Sequence, residues 1–202
     1  MKILLLFALF LSACTAAEVK RVAQNKATTP APERTPDEIL SREIDRAAKL
    51  AGLPSLKTAN WAPDDAEIRV WYGFGLIALE GFMIRRVNNQ WAAFHLKADH
   101  PSMRYAKKVE LIQLPAPKSG WKSCWQRLVD AGVLTLPSGT EGPDPDAEGF
   151  YVEIMDRGSY RNYLYNSPEY SEAANAKRMV AIGNIVSDEF SLARFHVTKP
   201  SQ

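Results

Sequence analysis

From Glu67 to Ala98 the apolar residues settle into a strand-like alternation that persists through three runs, EIRVWYGF, LEGFMIRRV and QWAAFHLKA. Side chains alternate across a strand, so the pattern demands a pleated sheet with at least one buried face. Asn88-Asn89 separates the second and third runs, as a two-residue hairpin requires, and that turn sets His95 opposite Phe82. KKVELIQL, from Lys107 to Leu114, predicts a fourth strand closed by Pro115 and Pro117. Helical spacing brackets these strands. Thr35-Pro36-Asp37-Glu38 reads as a capping box, with Leu40, Ile44, Ala47, Ala48 and Ala51 on one face and Gly52 and Pro54 as the stop. From Ser119 to Ala131, Trp121, Cys124, Trp125, Leu128 and Val129 form a helical stripe ended by Gly132. Cys124 inside that stripe is expected to pack as a small hydrophobe with a raised pKa. Ser167-Pro168 is read as the start of a last helix, buried along Ala176, Met179, Val180, Gly183, Val186 and Phe190. The expected architecture is one α+β domain over residues 36–197, an antiparallel sheet packed against two or three helices, with residues 198–202 as a tail.

The segment Phe150 to Asn166 predicts a hairpin around Asp156-Arg157-Gly158. Two registers compete. A bulged turn sets Met155 opposite Ser159 and gathers Phe150, Val152, Ile154, Tyr160 and Leu164 on one face; a two-residue loop pairs Ile154 with Arg161 and mixes the faces. Segregation favours the bulge. In that register Tyr151, Glu153, Arg161, Tyr163 and Tyr165 share a face, with Glu153 across from Arg161. Tyrosine and arginine are enriched in binding hot spots, so this face is the candidate recognition surface; the competing reading is a sheet face covered by a helix.

The chain begins Met1-Lys2, continues through the apolar run ILLLFALFL from Ile3 to Leu11, and reaches Ser12-Ala13-Cys14. A spanning helix needs about 20 apolar residues, roughly twice this run, so the segment reads as a signal-peptide core. Leu11-Ser12-Ala13-Cys14 resembles the lipobox of bacterial lipoproteins. The resemblance implies diacylglyceryl transfer to the Cys14 thiol, cleavage just before it, and acylation of the new amine, with palmitate-like chains. Residues 1–13 are then a signal peptide, and residues 14–35 are the lipidated cysteine and a flexible tether rich in Ala, Thr and Pro. The implied partner is a membrane, and the implied address is the cell envelope. Thr15 in place of aspartate after the cysteine points to the outer membrane, periplasmic leaflet, of a Gram-negative cell. The competing reading is a plain secretory signal with an incidental cysteine.

Charge and motif content exclude more than they assign. The 25 basic residues balance 23 acidic ones, which argues against a nucleic-acid partner. His95, Asp99 and His100 match no zinc spacing, Gly73-Phe74-Gly75 lacks the remainder of a phosphate loop, and there is no Gly-x-Ser-x-Gly elbow. Asp144, Asp146 and Glu148 alternate in the loop Ser138–Gly149 but are not placed as in an EF-hand, so the loop reads as solvated. No catalytic residue, metal site or cofactor is assigned. Trp121-x3-Trp125-x2-Leu128, the stretch AGVLTLP and the later YVEI and YRNYLYNSP resemble an uncharacterised group of bacterial secreted proteins, which implies kinship of fold. The leading expectation is a lipid-anchored, non-enzymatic binding or scaffolding module for an envelope protein or glycan. The alternatives are an envelope hydrolase acting on cell-wall material through Glu80 or Glu153 with a second carboxylate, and an inhibitor or immunity lipoprotein that uses the 138–149 loop.

Overall fold

The computed structural model describes residues 36–73, 78–139 and 148–197. The signal segment with Cys14, the tether, Thr35 of the capping box, most of the 138–149 loop and the tail lie outside the described residues. The chain runs α1 (Pro36–Leu50), β1 (Ala66–Gly73), β2 (Glu80–Val87), β3 (Gln90–Ala98), β4 (Val109–Gln113), α2 (Trp121–Asp130), β5 (Gly149–Asp156), β6 (Ser159–Asn166) and α3 (Ala174–Phe190). Single 3-10 turns at Pro168–Tyr170 and Ala193–Phe195 flank α3. The fold is α+β: six antiparallel strands in the order β4-β3-β2-β1-β5-β6, with helices packed on the sheet.

β1 lies at the centre and is buried along its whole length, so both of its faces must be covered. Ile68, Val70 and Tyr72 face one way, into a core shared with Phe82, Phe150, Val152 and the buried sides of α2 and α3. Glu67, Arg69 and Trp71 face the other way, where Trp71 joins Ile44, Ala47 and Ala48 of α1, Met83 and Leu96. Two glycines mark where these layers approach closely. A Cβ on Gly183 of α3 would stand 2.8 Å from the Phe195 carbonyl oxygen and 3.0 Å from the Phe150 ring, so the absent side chain lets α3 settle onto β5. A Cβ on Gly81 would stand 2.7 Å from the Trp71 ring, so that glycine makes room for the indole between β1 and β3.

The β2–β3 turn forms as the asparagine pair demands: Asn88 and Asn89 have φ of 51° and 63°, and His95 pairs with Phe82. α2 ends at Gly132, whose φ of 94° turns the chain while the Val133 N–H closes on the Leu128 carbonyl at 3.0 Å. Two expectations are corrected. Ser167-Pro168 opens a single 3-10 turn rather than the last helix, because Ser167 sits in the left-handed region; α3 begins six residues later, at Ala174. The β5–β6 hairpin takes the two-residue turn. Arg157 and Gly158 both have positive φ, 50° and 71°, and Ile154 pairs with Arg161. Segregation of apolar from polar residues was the wrong criterion, because helices cover both faces of β5 and neither is the wet side. A turn with two positive-φ residues matches the strand twist better than a bulge.

Candidate functional site

That register separates the five residues of the expected recognition face. Tyr151 and Glu153 face α1, whereas Arg161, Tyr163 and Tyr165 face α2 and α3, and Glu153 pairs with Asn162 rather than Arg161. Tyr151, Glu153, Tyr163 and Tyr165 are all buried. On the α2/α3 face, Arg161 donates to the carbonyls of Leu134 and Leu136, and the Tyr163 hydroxyl donates to the Val133 carbonyl at 3.0 Å. The two side chains therefore strap the turn after α2 to β6, satisfying carbonyls that would otherwise be left without donors.

Glu153 serves the opposite face. Its carboxylate accepts the Trp71 indole N–H at 3.0 Å and the Tyr160 hydroxyl at 3.3 Å. Burial pushes its pKa up, with the Arg69 guanidinium opposing. Arg69, its cross-strand neighbour, is itself 1% exposed and holds Glu67 at 2.6 Å and the Pro54 carbonyl at 3.0 Å. Every one of these charged groups has a partner, as buried charges require. The layer ties the α1 side of the sheet together.

Glu80 lies on the other side of the sheet, with Phe82 and Ile84. It accepts from His95 Nε2 at 2.8 Å and from Arg194 Nε at 3.0 Å, and the hydrogen bond to His95 holds its pKa below the usual carboxylate range. Its neighbour across the ladder, Tyr72, donates to Glu148. Glu80 and Glu153 therefore occupy opposite faces and cannot act as one carboxylate pair. His100 stands in the connection after β3, where its Nδ1 accepts the Ser102 N–H at 3.0 Å. Among the described residues, no cluster of three His, Cys, Asp or Glu side chains is arranged to hold a metal. Cys124 is fully buried, and burial pushes its thiol up to about 12.

A different place has open chemistry. Where the chain leaves the strapped turn, Ser138 and Gly139 line a cavity of about 290 Å³ together with Tyr165, Ser171, Asn175 and Ala176. Its wall includes the N-terminus of α3, whose N-cap, Ala173, offers no side-chain acceptor, and whose first turn carries no acidic residue. The N–H groups of Ala174, Asn175 and Ala176 therefore lack intrahelical partners. Tyr165 is 5% exposed, and its buried hydroxyl has no hydrogen-bond partner among the described residues. Sequence reasoning singled out Tyr165 but not this cleft, since a helix begun at Pro168 hides its own entrance. The signal available was Ala173-Ala174-Asn175, a helix start without a good N-cap residue. In comparisons with protein-family models, curated proteins and solved structures, this chain has no match.

Proposed function

We propose that this chain is a lipid-anchored protein of the cell envelope, in the periplasmic leaflet of the outer membrane if the cell is Gram-negative, and that its body is a non-enzymatic binding module. The observation that carries the anchor is the ordered run Lys2, Ile3 to Leu11, Ser12-Ala13 and Cys14. Two acyl chains or more, at about 0.8 kcal/mol per buried methylene, hold a protein firmly where one holds it marginally. Support for a binding body comes from the way its carboxylates are used. Glu80 and Glu153 are engaged by internal partners on opposite sides of the sheet, while the cleft beside Tyr165 is lined by the polar side chains of Ser138, Ser171 and Asn175.

Fractionation of cells producing the full chain tests the anchor. The protein is expected to stay with membranes through a high-salt wash and to leave with detergent, and Cys14→Ala is expected to abolish that behaviour. A Cys14→Ala chain that fractionates like the parent would overturn the anchor. For the body, incubation with purified cell-wall sacculi is expected to release no soluble fragments; their release would install the hydrolase reading instead.

A further inference from the structure

We propose that the outer edge of β4 pairs antiparallel with the same edge of a second copy of this chain, joining two six-stranded sheets into one. The inference goes beyond the anchored binding module, since it names a surface that neither the anchor nor a ligand uses. β4 is the last strand on its side of the sheet and, among the described residues, pairs with β3 alone. The opposite edge is treated differently. There the Gly139 N–H donates to the Leu164 carbonyl of β6 at 2.9 Å, and Arg161 ties the turn after α2 alongside. At β4, by contrast, two neighbouring large hydrophobics stand in solvent: Leu111 is 37% exposed and Ile112 40%. An uncovered edge with apolar side chains on both faces is a template for another strand.

The backbone phase identifies the partner strand. The Leu114 N–H donates to the Ala93 carbonyl at 2.9 Å, and the Asp99 N–H donates to the Lys108 carbonyl at 3.1 Å. Hydrogen-bonded pairs alternate along an antiparallel ladder, so Glu110 and Ile112 also bond to β3, while Val109, Leu111 and Gln113 point their N–H and C=O groups outward. A second β4 satisfies them all when Leu111 sits on the two-fold axis. Val109 then faces Gln113 of the other copy, and each outward N–H meets a carbonyl. The side chains agree with this register. Leu111 meets Leu111 on the α1 side, and on the other side Ile112 lies against Glu110, which keeps its own Lys108 at 3.4 Å. Lys108 faces Leu114 rather than a like charge. Sliding to the neighbouring register fails in both directions: one slide sets Glu110 directly opposite Glu110, and the other sets Val109 against Pro115, which has no N–H. The edge is therefore complementary to itself in one register, as a two-fold contact requires.

Single cysteines placed in the full chain and oxidised mildly in the cells that make it read the contact. The Cα atoms of a hydrogen-bonded pair lie about 5.5 Å apart, inside the disulfide range of about 4.4–6.8 Å, so Leu111→Cys can close a bond across the axis. It is expected to form covalent dimers roughly tenfold or more faster than Tyr170→Cys, an exposed position outside this edge, because a held pair meets at an effective concentration far above that of chance collision. Glu110→Cys and Ile112→Cys chains produced together are expected to cross-link to each other faster than either does to itself, which reads the register. Leu111→Lys sets two ammonium groups on the axis and, at an exposed position, should keep the parental Tm. Gln113→Pro removes an outward N–H without touching the β3 ladder. In sedimentation of the full chain in mild, density-matched detergent, the parent is expected at twice the monomer's protein mass and both variants at the monomer mass. Equal cross-linking at Leu111→Cys and Tyr170→Cys, a monomeric parent, or a dimer that survives both substitutions would each overturn the contact. Capture of Leu111→Cys on a different protein in place of its own copy would overturn it too, by giving the edge to that protein.

Discussion

Tyr163 and Tyr165 lie two residues apart on one face of β6, their rings edge to face with centroids 6.0 Å apart, yet removing the two hydroxyls should move stability in opposite directions. The Tyr163 hydroxyl donates to the Val133 carbonyl at 3.0 Å from a side chain 1% exposed. Tyr163→Phe forfeits that bond and should cost about 0.5–1.5 kcal/mol. Among the described residues the Tyr165 hydroxyl is buried without a partner, so the folded state already carries its desolvation, on the order of 1–3 kcal/mol. Tyr165→Phe removes that cost while keeping the ring in its core contacts, and should stabilise by about 1 kcal/mol or more. The two variants should therefore differ by roughly 2 kcal/mol. With a urea slope of about 1–3 kcal/mol/M, their midpoints should separate by about 1 M. Unfolding followed by tryptophan fluorescence measures this directly, and unchanged slopes would assign the difference to the folded state. If Tyr165→Phe lowers the midpoint as far as Tyr163→Phe does, the Tyr165 hydroxyl is satisfied in the folded protein and the reasoning fails.

Three further outcomes follow from the packing and the buried charges. Gly81→Ala drives a methyl to 2.7 Å from the Trp71 ring and threatens the indole bond to Glu153, so it should cost about 1–3 kcal/mol in urea unfolding; a loss under about 0.5 kcal/mol would mean the layer has slack. Burial raises the Glu153 pKa above its usual 4.5, so the folded state holds this proton more tightly than the unfolded chain does. Its contribution to stability must then fall as pH rises from 4.5 toward the raised value, and Glu153→Gln should gain on the parent over that interval; a difference that stays flat between about pH 4 and 8 refutes the assignment. Finally, Cys124 should resist iodoacetamide in the folded chain and react once denaturant exposes it, since its thiol is fully buried and pushed up to about 12; mass spectrometry showing prompt labelling under native conditions would contradict that.

The strands of the meander were legible from their alternation, and the β2–β3 hairpin also carries a local instruction. Asn88-Asn89 fixes the β2–β3 register through backbone preference alone, and the alternation in QWAAFHLKA matches β3 to the residue. Helix α2 was legible from its stripe and from Gly132. The β5–β6 register was misjudged because a face-sorting rule assumes one wet face, and nothing within Phe150–Asn166 announces that helices cover both sides. That covering depends on α1 lying on one side of the sheet and α2 and α3 on the other, a long-range property. The candidate site suffered similarly. Tyr165 was chosen for its residue type, but its place beside Ser138 and Asn175 joins three segments distant in sequence. Arg161 was read as a surface group for lack of any local sign that Leu134 and Leu136 would bring their carbonyls to it.

The most direct measurement is the intact mass of the protein extracted from the membranes of the cell that makes it, with fragmentation of its amino-terminal peptide. Cleavage before Cys14 should leave a chain beginning at that cysteine, heavier than its sequence by a diacylglyceryl group and an amide-linked acyl chain. A chain that still begins at Met1, or one cut elsewhere with an unmodified Cys14 thiol, would contradict the account.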